Sequence, residues 1–281
     1  MATAWDDGEE LAALASRNWI QLMSFSRLSR IFEKKKIPPP SAPPGMRVYA
    51  IGDVHGRLDL LIELERQISR DLATAPTDVL TVFLGDYVDR GKDSAGVLER
   101  LSAIEFCTPI CALRGNHEEV FLQFLSDASV LESWRKFGGL ETLHSYGVNV
   151  TDAMRGAGFD RARAALRKVL PPHHQKFLEE TRHSVTLGDY FFCHAGAKPG
   201  IDLEFQTAKD LLWIREEFLR FEGEFGKIVV HGHSPMSAPE IKANRINVDT
   251  GAYASSVLTA LVLEGETRRF LSTATGRPSN L

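Results

Sequence analysis

The 281-residue sequence has few cysteines and no long apolar run. Cys107, Cys111 and Cys193 are an odd number without the spacing of a structural zinc site, so we interpret them as free thiols in a reducing compartment. No stretch approaches the roughly 18 consecutive apolar residues of a membrane span, and we expect no stable membrane insertion. The acidic start, Met1 to Glu10, is unlike a secretory signal, which favours a cytoplasmic protein.

A surplus of charge of one sign is also missing. The sequence has 33 Lys and Arg residues against 37 Asp and Glu, a formal net charge of −4. Duplex nucleic acid requires a broad basic surface, so we expect no nucleic-acid partner. Hydrophobic residues make up 43% of the chain, which is enough for one large α/β domain or two small ones.

Residues 1–45 differ in composition from the rest of the chain. Apolar residues at helical spacing lead into three lysines at 34–36 and a proline cluster at 38–44, which predicts an extended linker. We interpret the segment before the linker as a partly ordered helix that docks on its own domain. The alternative is a basic amphipathic helix that contacts a membrane or a partner.

From residue 46 onward, strand-like runs alternate with helical patterns, which is typical of α/β layers. Between residues 119 and 182 the strand pattern disappears, and we expect a helical insertion that caps one rim of the sheet. The predicted strands cover residues 48–51, 79–84, 109–113, 184–187, 190–193, 227–231, 245–248, 257–263 and 267–271.

Five short polar clusters each follow a predicted strand. Because the carboxyl ends of strands in an open α/β sheet share one rim, we expect the clusters to converge on one crevice. A single Asp-x-His would be weak evidence, whereas five such clusters in order indicate a metal centre. The clusters are Gly52-Asp53-Val54-His55-Gly56, Gly85-Asp86-Tyr87-Val88-Asp89-Arg90-Gly91, Arg114-Gly115-Asn116-His117-Glu118, His194-Ala195-Gly196 and His231-Gly232-His233.

The residue types in these clusters are those of a hydrolytic metal site. Carboxylate, neutral imidazole and amide oxygen together suit Mn, Fe and Zn, and we expect two divalent ions with Mn as first choice. Asp86 is the natural bridging carboxylate between ions about 3.5–4 Å apart, where a shared water becomes a hydroxide nucleophile. The candidate metal ligands are Asp53, His55, Asp86, Asn116, His194 and His233.

Other residues of the clusters suit the remaining steps of phosphate ester hydrolysis. Arg90 and Arg114 each lie near a candidate ligand, and a guanidinium forks onto phosphate oxygens. His117 is the candidate general acid, and Asp89 is the carboxylate expected to orient it.

These motifs resemble those of the phosphoprotein phosphatase family of calcineurin-like metallophosphoesterases, namely Gly-Asp-x-His-Gly, Gly-Asp-x-Val-Asp-Arg-Gly and Gly-Asn-His-Glu. The resemblance extends from about Arg47 to Thr267. The segment at 212–215, Leu-Trp-Ile-Arg, resembles the bacterial and bacteriophage lambda-type branch. The resemblance implies an α/β sandwich of mixed β-sheets flanked by helices, formed by a catalytic domain at residues 46–281 with a helical cap.

The resemblance also implies a division of the metal ligands. Asp53, His55 and Asp86 would hold one ion, and Arg215 would contact phosphate together with the other arginines. Two departures from the family pattern are the Ala195-Gly196 pair, where eukaryotic relatives have Gly-Gly, and His231, which stands two residues before the family position. The second ion would be held by Asp86, Asn116, His194 and His233.

The leading function hypothesis is hydrolysis of phosphomonoesters on Ser or Thr, with dual specificity as an extension. The substrate would be a phosphoprotein or phosphopeptide, and small phosphoesters are a further class. The alternative is a hydrolase of dinucleoside polyphosphates similar to bis(5'-nucleosyl)-tetraphosphatase, whose family shares these clusters. A non-catalytic phosphoprotein-binding scaffold is disfavoured because such a protein is expected to lose a ligand or the acid. Trp134 and Phe137 in the cap suit either kind of substrate.

Overall fold

The computed structural model describes residues 38–103 and 106–274. Its contacts divide the chain between Pro39 and Pro40, and the elements below belong to the second part. The helix predicted within residues 1–37 lies outside the described residues. None of the described helices combines the length and the apolar character of a membrane span.

The first sheet has the strand order β10-β9-β1-β2-β3. Strands β1, β2 and β3 run parallel, and β9 and β10 continue the sheet in antiparallel fashion beside β1. The strands are β1 (Met46–Ile51), β2 (Asp78–Phe83), β3 (Ile110–Ala112), β9 (Thr259–Glu264) and β10 (Thr267–Ser272).

The second sheet has the order β4-β5-β6-β8-β7. Strands β5, β6 and β8 are parallel, whereas the outer strands β4 and β7 are antiparallel to their neighbours. Within residues 38–103 and 106–274, the short strand β7 is the one strand that periodicity did not predict. The strands are β4 (Ser184–Leu187), β5 (Tyr190–Cys193), β6 (Ile228–His231), β7 (Glu240–Ile241) and β8 (Arg245–Asn247).

Helices flank the sheets, and the segment between β3 and β4 is helical as predicted. The apolar residues of α1 recur at helical spacing and bury Leu61, Leu64 and Ile68. The helices are α1 (Leu58–Asp71), α2 (Ser94–Ser102), α3 (Asn116–Ser126), α4 (Leu131–Trp134), α5 (Gly139–Ser145), α6 (Thr151–Met154), α7 (Phe159–Val169), α8 (Pro172–Glu180), α9 (Ala208–Trp213), α10 (Glu216–Leu219) and α11 (Ala252–Ser255).

The core is built by alternation along the central strands. Val48 and Ala50 of β1 face the core between the sheets, whereas Tyr49 and Ile51 face the core beneath the helices. Successive side chains of a strand point to opposite faces, so a strand covered on both sides is apolar at every position. Burial of both faces explains why the sequences of these strands are continuous hydrophobic runs.

The catalytic unit begins before the boundary predicted at residue 45. Ala42 is buried, and its N–H donates to the Gly265 carbonyl. The Ser41 N–H donates to Asp189 Oδ2, and the Tyr190 hydroxyl donates to the Pro40 carbonyl. Pro40 and Ser41 therefore contact the second sheet at β5 and the turn before it, whereas Ala42 contacts the turn between β9 and β10 of the first sheet.

Candidate metal centre

The predicted site residues come together where the carboxyl ends of the parallel strands of both sheets meet. Asp53 and His55 follow β1, Asp86 follows β2, His194 follows β5 and His233 follows β6. Most of the predicted residues line one cavity of about 420 Å³. These are Asp53, His55, Asp86, Arg90, Asn116, His117, Arg215 and His233.

Backbone strain is concentrated in these loops. Five of the six described non-glycine residues with a positive φ are predicted site residues. A left-handed conformation of a non-glycine residue costs on the order of 1–3 kcal/mol and persists where the surrounding structure requires it. Four of the five side chains line the cavity, and the fifth, Asp89, binds His117 instead. The five are His55 (φ 44°), Asp86 (φ 53°), Asp89 (φ 73°), Arg90 (φ 66°) and His233 (φ 64°).

Two glycines let the loops approach the carboxylates. A Cβ atom on Gly115 would overlap Oδ1 of Asp86, and one on Gly232 would overlap Oδ1 of Asp53. Both carboxylates are buried. Any side chain at either glycine would therefore displace a candidate ligand.

One group of candidate ligands surrounds Nε2 of His194. Its Nδ1 lies 3.0 Å from the Leu84 carbonyl and donates to it, so a neutral ring has its lone pair on Nε2. That nitrogen lies 2.9 Å from Asn116 Oδ1, 3.1 Å from His233 Nδ1 and 3.4 Å from Asp86 Oδ1. All of these nitrogen and oxygen atoms carry lone pairs. One proton can bridge only one of the three contacts, so the other two bring lone pairs together without a hydrogen between them.

The other group forms at the second oxygen of Asp86. His55 Nδ1 lies 2.8 Å from the Val88 carbonyl and donates to it, and His55 Nε2 lies 3.4 Å from Asp86 Oδ2. Burial lowers the pKa of His55 to about 3, and burial also lowers the pKa of His194. Both imidazoles are therefore neutral at pH 7 and present lone pairs to the same carboxylate.

These residues fit divalent cations. Nε2 of His233 is buried without a hydrogen-bond partner, which is costly for a polar atom. Asp86 contributes one carboxylate oxygen to each of the two groups. A cation at the centre of each group would be coordinated by these nitrogen and oxygen atoms. The donor set of carboxylate, imidazole and amide oxygen suits borderline-hard ions.

Sequence reasoning missed a further carboxylate, Asp249. It follows β8, lines the cavity and lies beside Asp53. Burial raises the pKa of Asp249 to about 6, and burial with the charges of Asp249 and Asp86 raises that of Asp53. Its position directly after a strand was a signal, but Asn247-Val248-Asp249 lacks the His that marked the other clusters.

His117 is held by Asp89, and the insertion in turn holds Asp89. Its Nδ1 donates to Asp89 Oδ2 at 2.6 Å, which turns Nε2 into the cavity, 3.4 Å from Arg90 Nη2. Trp134 Nε1 donates to Asp89 Oδ2 and the Thr142 hydroxyl donates to Asp89 Oδ1, both at 2.6 Å. Burial lowers the pKa of His117, but Asp86 and Asp89 raise it to about 9.

Glu118 is a structural carboxylate of the site. Its Oε1 accepts the Tyr87 N–H at 2.8 Å, and its Oε2 accepts those of Asp86 at 2.8 Å and Gly115 at 2.9 Å. It therefore joins the loop after β2 to the loop after β3. The sequence placed Glu118 in a cluster but assigned it no role.

The arginines do not all reach the cavity. Arg90 and Arg215 line it, whereas Arg114 turns away. Its guanidinium bonds Thr181 Oγ1, Glu119 and the Leu178 and Glu179 carbonyls at the end of α8. The phosphate contact predicted for Arg114 is therefore not supported, because its donors already have partners in the insertion.

His231 stands apart from the metal centre as the end of β6. Its Nδ1 lies 3.0 Å from the Gly232 carbonyl, and its ring packs edge-on against Phe218 with centroids 4.9 Å apart. Burial lowers its pKa to about 3. It is a neutral core histidine in this structure.

Aromatic side chains border the mouth of the cavity. Phe137, Trp213 and Tyr253 line it and are 60%, 46% and 38% exposed. The Arg90 guanidinium lies over the Tyr253 ring, 4.5 Å from its centroid. Exposed aromatic surface beside a polar centre is typical of a ligand site.

Comparison with known proteins relates this chain to phosphoesterases. The calcineurin-like phosphoesterase family matches residues 46–258. A serine/threonine-protein phosphatase 1 of Salmonella typhimurium is 29% identical over 218 residues, which cover 75% of this chain and 89% of that protein. The asymmetrical bis(5'-nucleosyl)-tetraphosphatase of Oceanobacillus iheyensis is 25% identical over 255 residues, which cover 83% and 94%.

A solved structure shows the same fold. The crystal structure of a candidate diadenosine tetraphosphatase has a TM-score of 0.57 and 19% identity, and the match covers 85% of this chain and all of that one. The family match includes every residue of the cavity described above. This chain therefore belongs to the calcineurin-like phosphoesterase family, as a metallophosphoesterase and hence a hydrolase.

Proposed function

We propose that this hydrolase acts on phosphomonoesters, foremost phosphoserine and phosphothreonine of proteins. The observation that carries the proposal is His117, whose Nε2 faces the cavity while Asp89 holds its Nδ1 at 2.6 Å. A protonated imidazole in that position suits an alkoxide leaving group, which needs a proton to depart. The similarity to a bacterial serine/threonine-protein phosphatase supports the same substrate class.

The family uses divalent metal ions, and we propose Mn at both positions, with Fe or Zn as the alternatives. Asp53, His55 and Asp86 would hold one ion, and Asp86 would also serve the other. When bound, such ions supply positive charge to the phosphate oxygens and acidify a water as nucleophile. The remaining ligands of the second ion would be Asn116, His194 and His233.

The chain's own side chains bind and orient the substrate. Arg90 and Arg215 line the cavity and offer forked donors to phosphate oxygens. His117 delivers its proton to the leaving oxygen, and Asp89 keeps the ring in the required tautomer. Arg114 lies outside this set, because its guanidinium is bound to Glu119 and to the end of α8.

A second candidate function is cleavage of dinucleoside polyphosphates. The exposed rings of Phe137, Trp213 and Tyr253 favour it, because aromatic faces stack on bases. The similarity to a bis(5'-nucleosyl)-tetraphosphatase points the same way. The same rings can also pack against the side chains of a peptide.

The test compares kcat/KM of the Mn-loaded enzyme on a phosphoserine peptide, p-nitrophenyl phosphate and diadenosine tetraphosphate. We expect the phosphopeptide to be preferred over the dinucleotide. A higher kcat/KM on diadenosine tetraphosphate would replace the leading proposal by the second one.

Trp213→Ala sharpens this comparison. If a base stacks on Trp213, kcat/KM on diadenosine tetraphosphate falls about 5- to 150-fold, since stacking contributes roughly 1–3 kcal/mol per base. Under the leading proposal the loss is larger on the peptide than on the dinucleotide. Phe205→Ala is the matched control, because Phe205 is 72% exposed and does not line the cavity.

A further inference from the structure

A second cluster of metal-ligand side chains lies outside the catalytic cavity. Glu99 of α2 faces His173 and His174 in the first turn of α8. Its Oε2 lies 3.0 Å from Nε2 of His173 and 2.8 Å from Nε2 of His174. Consecutive helix positions diverge by about 100°, yet both imidazoles converge on one carboxylate oxygen, and the three atoms lie within 4.8 Å of one another.

The ring nitrogen of His174 that faces away from Glu99 contacts a tyrosine. This nitrogen, Nδ1, lies 2.8 Å from the hydroxyl of Tyr146, which follows α5 directly. This hydroxyl can accept a hydrogen bond from Nδ1, which leaves the Nε2 lone pair free for an ion that takes the place of the Nε2 proton. Burial lowers the pKa of His174, which favours the neutral ring. An imidazole whose Nδ1–H is held by a polar group presents its Nε2 lone pair outward, as metal-ligating histidines do.

The open side of the cluster gives an ion a path of entry. The side chains of Glu99 and His173 are 56% and 47% exposed, whereas His174 is buried. Among the described residues, the ion pairs of Glu99 are both to these imidazoles. A cation here would thus meet one carboxylate, two imidazoles and solvent.

We propose that Glu99, His173 and His174 bind one zinc ion, separate from the catalytic centre, with water as the fourth ligand. Two imidazoles and one carboxylate with an open fourth position are a recurrent zinc donor set. Such nitrogen-rich sites bind Zn more tightly than Mn, following the Irving–Williams order. The imidazoles of the catalytic centre follow the same order, so the test counts Mn plus Zn per chain rather than Zn alone.

An ion at this site would join α2 to α8. α2 begins at Ser94, whose hydroxyl accepts the Asp89 N–H at 3.0 Å, and the last carbonyls of α8 hold Arg114. The ion would connect α2, which contacts Asp89, to α8, and it would lie outside the cavity. Its expected effect is on thermal stability rather than on turnover.

The test uses the full-length protein loaded with Mn, to which zinc chloride is added before dialysis and elemental analysis. We expect three ions per chain in the wild type and two in His173→Gln and Glu99→Gln. The matched control His144→Gln should keep three, because His144 is an exposed histidine of α5 outside the cluster. All variants should retain the wild-type turnover with Mn, which shows that they fold.

Thermal unfolding gives a second measurement. Zinc at about a hundredfold excess over its dissociation constant should raise the Tm of the Mn-loaded wild type by roughly 5 °C. His173→Gln should abolish this rise, and His144→Gln should retain it. Two ions in the zinc-treated wild type, or three in both cluster variants, would overturn the proposal. Ion content and Tm are measured without substrate, so these results do not depend on the proposed function.

Discussion

The strand ends and the helical insertion contribute to the site in different ways. The strand ends supply the candidate ligands on strained backbone, as at His55, Asp86 and His233. The insertion supplies Trp134 and Thr142, which hold Asp89 by hydrogen bonds of 2.6 Å. Metal binding and proton delivery are thus supported by separate parts of the chain, and variants should separate them.

Asp86→Asn tests the strand ends and should have the largest effect. The carboxylate lies 3.4 Å from Nε2 of both His55 and His194, so an amide would weaken both ion positions. We expect activity to fall at least roughly 10³-fold, with loss of at least one ion by elemental analysis. Asp202→Asn on the exposed surface is the control. Two tightly held ions and near-normal turnover in Asp86→Asn would refute the two-metal assignment.

His117→Asn tests the point where the two regions meet. We expect both ions to be retained and activity on a phosphoserine peptide to fall about 10²–10⁴-fold, the usual contribution of a general acid. The loss on an aryl phosphate should be much smaller, because a phenolate leaves without a proton. Asp89→Asn should show the same pattern more weakly. Equal losses on both substrates would assign His117 to phosphate positioning instead.

Trp134→Phe tests the insertion alone. The change removes the N–H donated to Asp89 but keeps a ring that packs against Phe121 and Phe124. One such hydrogen bond contributes about 1 kcal/mol, so kcat on the phosphopeptide should fall about 5-fold. The ion content and the turnover of an aryl phosphate should change little. A parallel loss of ions would contradict the separation of the two regions.

Removal of residues 1–39 should have the smallest effect. All proposed ligands lie beyond residue 39, and the contacts of Ser41 with the second sheet and of Ala42 with the first sheet are preserved. We expect kcat/KM on p-nitrophenyl phosphate within about twofold of wild type, since surface changes remote from a site usually cost little. Removal of residues 1–44 should lower the Tm further, because it deletes buried Ala42. An inactive 40–281 fragment would show that both regions depend on the N-terminal segment.

The sequence by itself determined the architecture and the place of the site. Alternating strand and helix patterns predicted the α/β sandwich, and strand-terminal clusters such as those at Asp53 and Asp86 predicted the shared rim. These features are local, because burial on both faces demands continuous apolar strands, and parallel strands bring their carboxyl ends to one edge.

Only the tertiary structure decided where individual side chains point. Arg114 stands one residue before a cluster glycine, yet the end of α8 captures its guanidinium. Asp249 joins Asp53 because the two sheets meet, and Trp134 reaches Asp89 because the insertion folds back over the loop after β2. Such contacts join residues that are 45 to 196 positions apart, so their directions depend on packing that no local pattern records.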